Sequence, residues 1–210
     1  LHFGPDGKLY IAQGGNTGAG APNNVNNEFG DRPEQPLSAA LLVADVKAAG
    51  FDGSCAMDLG SFGPVPCDVA TYATGMRNMY DFVFHPNGSI YGPDNGLGVA
   101  GSFPPSPTPP CTGMASAAPW NQGGQNPDVQ PDLLLRIEQG KYYGHPNPYR
   151  NECVFKNGSY QNVSPLANYV APINVLGESK SANGIIAYKS NAFNGILQGN
   201  LLITNYSVGD

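Results

Sequence analysis

The chain has 210 residues and a net charge of −6, with no Lys/Arg cluster, so nucleic acid and anionic membranes are poor partners, and no nucleic acid is expected. Gly (28) and Pro (20) make up nearly a quarter of the residues and charged residues only 12%, a balance that fits short strands joined by many turns rather than helices. Hydrophobic residues at 40% suffice for a core and exclude a wholly disordered chain, and no apolar run approaches the ~18 residues of a membrane span.

The chain starts at Leu1 without Met and stops in a strand-loop pattern, so it is read as a piece of a longer protein. LHFGPDGKLYIAQGG (Leu1–Gly15) reads as strand, tight turn, strand, with Asp6-Gly7 predicting a type I′ hairpin turn. The following GGNTGAGAPNN is Gly-rich but lacks the Lys-Ser/Thr of a phosphate loop and precedes no convincing helix. PLSAALLVADVKAAG (Pro36–Gly50) admits a helix or a strand, and the strand AALLVADV is preferred. The four cysteines show no CxxC spacing, which argues against zinc and for two disulfides. Three pairings exist. Cys55 with Cys67, closing a short Gly/Pro loop, and Cys111 with Cys153 is the favoured one.

DFVFHPNGSIYGPDNG (Asp81–Gly96) repeats the opening pattern, with Asn87-Gly88 at its turn. Counting outward from that turn brings Arg77 and Asn78 to the same end as Asp94, Asn95 and Gly96. Arg offers a fixed five-donor fork, and Asn and Asp oxygens suit a hard cation such as Ca²⁺. Leu97–Pro127 holds no charged residue and seven prolines in 31 residues, and is expected to be a loop or insertion rather than a core element. PDLLLRIEQGKYYGHPNP (Pro131–Pro148) joins an acidic residue, a strand and an aromatic Gly turn. NAFNGILQGNLLITNYSVGD (Asn191–Asp210) is a looser third copy of the hairpin, its Gln198-Gly199-Asn200 turn leading into a strand at Leu201–Thr204. Sheet units recurring at about 80–110 residues predict an all-β fold, the blades of a β-propeller. Sequons stand at Asn87, Asn157, Asn162 and Asn205. With an even number of cysteines they predict a secreted or cell-surface glycoprotein.

His85 reads as a turn residue, His145 as a packed turn residue, and His2 as a solvent-facing strand position. The three show no paired spacing, which rejects a zinc hydrolase, and no GxSxG elbow is present.

The combination TGMRN…FVFHPNGSIYGPDNG…PDLLLRIEQGKYYGHPNP resembles the glucose/sorbosone dehydrogenase family, six-bladed β-propellers that include soluble pyrroloquinoline quinone (PQQ) sugar dehydrogenases. The opening and closing hairpins look like family segments in the same order, so the resemblance covers most of the chain outside the Pro-rich insertion. It implies that residues 1–210 form part of one propeller domain, roughly three to four blades. It also implies that Arg77, Asn78 and Asn95 contact the quinone, and that Asn95, Gly96, Asp132 and Tyr143 belong to or near a calcium site. Three departures count against catalysis. The family's His base lies in a His-x-Gly-Gly motif before the segment resembling Leu1–Gly15. Gly14 and Gly15 stand where the family has an Asp. Ser207 stands near the place of a quinone-binding Lys. The expectation is a catalytically degenerate extracellular propeller with a structural or binding role, its partners a sugar, a glycan or other extracellular proteins. The alternative is an active PQQ- and calcium-dependent sugar dehydrogenase.

Overall fold

The computed structural model describes residues 1–22, 32–55, 67–97, 101–111 and 130–207. It is all-β: among these residues the helical elements are three-residue 3-10 turns at Pro148–Arg150, Ser159–Gln161 and Phe193–Gly195. Strands β1 (His2–Phe3), β2 (Leu9–Gln13), β3 (Ala40–Ala44) and β4 (Val69–Thr74) form one antiparallel sheet in sequence order. Strands β5 (Val83–Phe84), β6 (Ile90–Asp94), β7 (Pro131–Ile137) and β8 (Asn174–Glu178) form a second with the same up-and-down order. Strands β9 (Ala182–Ala187) and β10 (Leu201–Asn205) pair as a third. None of the three sheets closes on itself.

The two predicted hairpins form, but with a different turn. Gly7 N–H donates to Gly4 O and Gly4 N–H to Lys8 O, both at 2.9 Å; Gly88 N–H to His85 O and His85 N–H to Ser89 O repeat this, again at 2.9 Å. Gly7 (φ 77°) and Gly88 (φ 86°) are left-handed, while Asp6 and Asn87 are not. The reason is Pro5 and Pro86. A type I′ turn centred on Asp6-Gly7 or Asn87-Gly88 would need the residue before it to donate an N–H across the hairpin, which proline lacks. Proline's φ of about −65° suits the first central position of a type I turn. The chain instead makes a type I turn followed by a left-handed glycine.

The Pro36–Gly50 segment supplies β3, a strand as preferred. Its Leu41 and Leu42 are buried, and it is paired on both sides by β2 and β4. A fully buried central strand reads as a continuous apolar run. The third hairpin is not a tight copy. β10 pairs back to β9 across residues 188–200, where a 3-10 turn takes the place of the first strand.

The first two sheets share one core. Tyr10, Leu41, Ala73 and Met76 meet Phe82, Ile90, Leu133 and Leu135, with Tyr10 edge-on to Phe84 at 5.1 Å between ring centres. A smaller core of Ala19, Leu97, Phe103 and Phe155 corrects the expectation for the Pro-rich stretch. Phe103 is buried and stacked on Phe155 at 5.9 Å, and Cys111 is bonded to Cys153. An aromatic ring and a crosslink make residues 101–104 and Cys111 part of the packed body, while 105–110 between them are exposed or half-buried as a loop is; residues 98–100 and 112–127 lie outside the described residues. The second disulfide, Cys55 with Cys67, also forms.

Candidate functional site

The crossing from β4 into the second sheet carries Arg77 and Asn78. It begins at Gly75 (φ 83°), where a Cβ would lie 2.7 Å from the Tyr142 ring, so only glycine lets the chain pass so closely. Asp94, the last residue of β6, then captures the crossing. Its carboxylate accepts the backbone N–H groups of Arg77 (3.1 Å) and Asn78 (2.7 Å). Asn95 N–H donates to Asn78 O at 3.3 Å, and the Arg77 guanidinium donates to Gly96 O at 2.8 Å. Gly96 N–H donates in turn to Asp132 Oδ1 at 2.8 Å, reaching β7. The structure thus brings together Arg77, Asn78, Asn95, Gly96 and Asp132, five of the six residues named from the sequence.

The internal balance of this cluster bears on what it can hold. Asp94 is buried and spent on the backbone. Burial pushes its carboxyl above the ordinary value, against the lowering effects of Lys156 and of the two N–H donors. Asp132 and Asn95 are also buried, yet among the described residues Asp132 Oδ2 and Asn95 Oδ1 have no hydrogen-bond partner. The other arm of Asn95 is engaged, its Nδ2 donating to Asn183 Oδ1 at 3.2 Å, which fixes the amide so that Oδ1 faces away. Each unpaired buried acceptor costs about 1–3 kcal/mol. A carboxylate oxygen and a carboxamide oxygen are also the donors that Ca²⁺ prefers. The residues therefore fit a hard cation. Among the described residues no three His, Cys, Asp or Glu side chains converge on one point, so such an ion would be completed by backbone oxygens and water.

Tyr143 does not join the cluster. Its hydroxyl donates to Arg136 O (2.6 Å) and accepts from Glu138 N–H (2.9 Å), at the far end of β7. From Asp132 to Ile137 a strand spans about 16 Å. Burial pushes the phenol up to about 12, and it sits in the main core as a neutral side chain. The Tyr143 hydroxyl is thus engaged by the backbone of β7 and its end, and its ring by the main core.

Beside Arg77 lies a second polar group, with Glu34 at its centre. The Glu34 carboxylate accepts from Thr17 N–H (2.9 Å), Thr17 Oγ1 (2.5 Å), Asn16 N–H (3.0 Å), Ser38 Oγ and His145 Nε2 (2.9 Å). The Gly-rich loop that lacks a phosphate-binding signature is an anion cradle after all, filled by the chain's own carboxylate. Burial raises the Glu34 carboxyl, but the His145 charge and the bonds from His145, Ser38 and Thr17 prevail and hold it down to about 2. Gly15 completes the fit: its N–H donates to Arg77 O at 2.7 Å, and a Cβ there would lie 2.9 Å from His145 Nε2 and 3.1 Å from Glu34 Oε1. An acid at that place would collide with the acid already present. His145 is packed as expected. Glu34 was not anticipated, because an isolated Glu in DRPEQP carries no local signal.

The remaining histidines are stitches. His2, exposed as expected, pairs with Asp81 at 2.8 Å. His85 accepts Asn87 N–H on Nδ1 and so donates from Nε2 to Gly199 O at 2.9 Å, tying the second hairpin turn to the third sheet's loop. Asn87, Asn157, Asn162 and Asn205 are all exposed, as acceptors of a glycan must be. No helix among the described residues is long and apolar enough to cross a membrane. Comparison with protein-family models returned no match, and no curated protein matches the chain.

Proposed function

We propose that the chain is part of an extracellular, N-glycosylated β-propeller similar to the glucose/sorbosone dehydrogenases, which keeps a calcium-holding end and has lost the dehydrogenase chemistry. The repeated four-stranded meanders support the propeller, six-bladed when complete, with three to four blades in this chain. Two disulfides support an oxidising compartment. The observation that carries the reading is the pair of buried oxygens on Asn95 and Asp132 that have no partner among the described residues. Bound there, calcium would staple β6 to β7 and offer its open positions to the oxygens of a sugar, a glycan or a partner protein. Among the described residues the acid-base groups near Arg77 and Asn78 include Asp94, which is spent on their backbone N–H groups, and Glu34 and His145, which are buried and paired with each other. None of the three is placed to take a proton from a substrate, which supports loss of catalysis.

A second reading, an active PQQ-dependent sugar dehydrogenase, draws on Asn78. Its carboxamide makes no hydrogen bond among the described residues and stands beside Gly14, where a Cβ would lie 3.7 Å from Asn78 Oδ1. Calcium would then polarise a bound quinone, and Arg77 and Asn78 would orient it. The two readings separate in one assay: the calcium-loaded protein is given PQQ, an aldose and a dye acceptor. No aldose-dependent dye reduction is expected. Reduction lost in Asn78→Ala would establish the second reading instead.

A further inference from the structure

Between the start of β7 and the segment 155–172 lies an open cleft of about 230 Å³ that uses none of the residues of the calcium cluster. Leu133, Tyr160, Tyr169 and Pro172 help to give it a mostly apolar wall, and the exposed Asn157 and Ser159 also line it. These two are the first and third residues of the sequon Asn157-Gly158-Ser159. The sequon is held in place. Gly158 has φ 85°, and a Cβ there would lie 2.3 Å from Val163 O, so only glycine fits the turn. Gln161 ties the loop to the body: its Oε1 accepts from Phe155 N–H at 2.8 Å, and its Nε2 donates to Pro104 O at 3.0 Å and Cys153 O at 3.1 Å. The Asn157 side chain is oriented as well, its Oδ1 accepting from Ser159 N–H (3.2 Å) and Ser159 Oγ (2.7 Å). Its Nδ2, the atom to which an N-glycan is joined, makes no hydrogen bond among the described residues. At Asn87 the same atom is engaged, donating to the Tyr91 hydroxyl at 3.0 Å. Tyr160 follows on the 3-10 turn, its ring backed by Phe155 at 5.0 Å between centres, and Tyr169 is backed by Tyr142 at 6.4 Å.

A glycan on Asn157 would start at the cleft itself. Its first unit is one pyranose ring with a C–H face and a rim of hydroxyl and acetamide groups. The volume is below the ~300–1,000 Å³ of sites for drug-sized ligands, so the cleft takes a single ring. We propose that the first N-acetylglucosamine of a glycan on Asn157 lies in this cleft, its C–H face against Tyr160 and Tyr169. The aromatic rings supply a flat apolar surface, and the phenol hydroxyls supply a polar edge for the rim of the sugar. The covalent link makes the encounter intramolecular, so a contact too weak to hold a free sugar suffices. This inference rests on the glycosylation reading and not on the calcium one.

The test is secretion from a eukaryotic host and digestion of the native protein with peptide N-glycosidase, occupancy and release at each site being read by mass spectrometry. Release from Asn157 is expected to be at least about tenfold slower than from the exposed Asn162 and Asn205, because cleavage of a docked sugar follows its undocked fraction. After denaturation the sites should release alike. Tyr169→Leu, which keeps an apolar wall and removes the flat ring, should bring the native rates together, and Tyr169→Phe should keep them apart. Circular dichroism and the melting temperature of both variants confirm the fold. Equal release from the sites of the native chain, or a difference that survives Tyr169→Leu or denaturation, would overturn the proposal and leave the glycosylation reading standing. So would an Asn157 without sugar beside occupied sequons elsewhere. Absence of sugar from all four sequons would overturn both.

Discussion

Glu34 is 1% exposed, and its carboxylate is surrounded by donors from positions 16, 17, 38 and 145. Its folded-state value of about 2 lies below that of an unfolded glutamate, so it stabilises the fold above about pH 4.5. That contribution is lost as the pH falls towards 2, where the carboxylate takes up a proton in both states. Glu34→Gln should therefore cost about 3 kcal/mol near neutral pH, measured by urea unfolding. The deficit should shrink as both proteins are unfolded at successively lower pH, from about 4.5 towards 2. A deficit that stays constant over that range would show that shape, not charge, is what Glu34 supplies. This residue also marks where sequence reading runs out. Its partners are 17, 4 and 111 residues away, and nothing in its neighbours says that a carboxylate will be buried there. His145 was legible as a packed residue because Gly-His-Pro is a turn, but not as half of a buried ion pair.

At the scale of the element, the two Gly-ended hairpins were legible because turn chemistry is local. Pro5-Asp6-Gly7 and Pro86-Asn87-Gly88 announce a reversal whatever surrounds them. The turn type was misread because proline outweighs the Asn-Gly and Asp-Gly signal at a neighbouring position. Glycines in these elements serve two different ends, and substitution separates them. At Gly88 a Cβ would meet nothing within 4 Å, so Gly88→Ala faces only the cost of a positive φ, about 1 kcal/mol. At Gly96 a Cβ would lie 2.1 Å from Gln130 O and 2.5 Å from Pro131 O, both backbone atoms. Gly96→Ala must push β6 from β7 and should cost more than about 2 kcal/mol in urea unfolding. Gly96 also joins Arg77 to Asp132, so this variant should lose calcium affinity while Gly88→Ala keeps it. Equal stability of the two variants would contradict the assigned contact. The third hairpin was less legible for the same physical reason: with no Pro-Asp-Gly or Pro-Asn-Gly turn, the β9–β10 pairing depends on strands 13 residues apart, between Ala187 and Leu201.

For the whole molecule, two sheets share one core and the chain passes between them at Arg77–Asn78. Asp81 extends the stitching, accepting from Ile185 N–H of β9 at 3.2 Å while it pairs with His2 of β1. All three sheets are thus tied near one crossing, and the cluster of Asn95, Gly96 and Asp132 lies one hydrogen bond from it. The all-β class was readable from Gly, Pro and the echoing hairpins, because short strands and turns leave a compositional trace. The gathering of Arg77, Asn78, Asn95 and Gly96 was readable from hairpin register. That Asp94 is consumed by backbone, Tyr143 by the core and Glu34 by His145 was not, since each depends on which side chain wins a contact across the fold. The central claim is that the oxygens of Asn95 and Asp132 without a partner among the described residues hold calcium. Its most direct measurement is calorimetric titration of Ca²⁺ into the metal-free protein, with Asp132→Asn beside it. One ion per chain is predicted, with a gain in unfolding free energy of about 2.7 kcal/mol at a hundredfold excess over Kd, and both lost in Asp132→Asn. Binding that is absent from the native chain, or unchanged in Asp132→Asn, would contradict it.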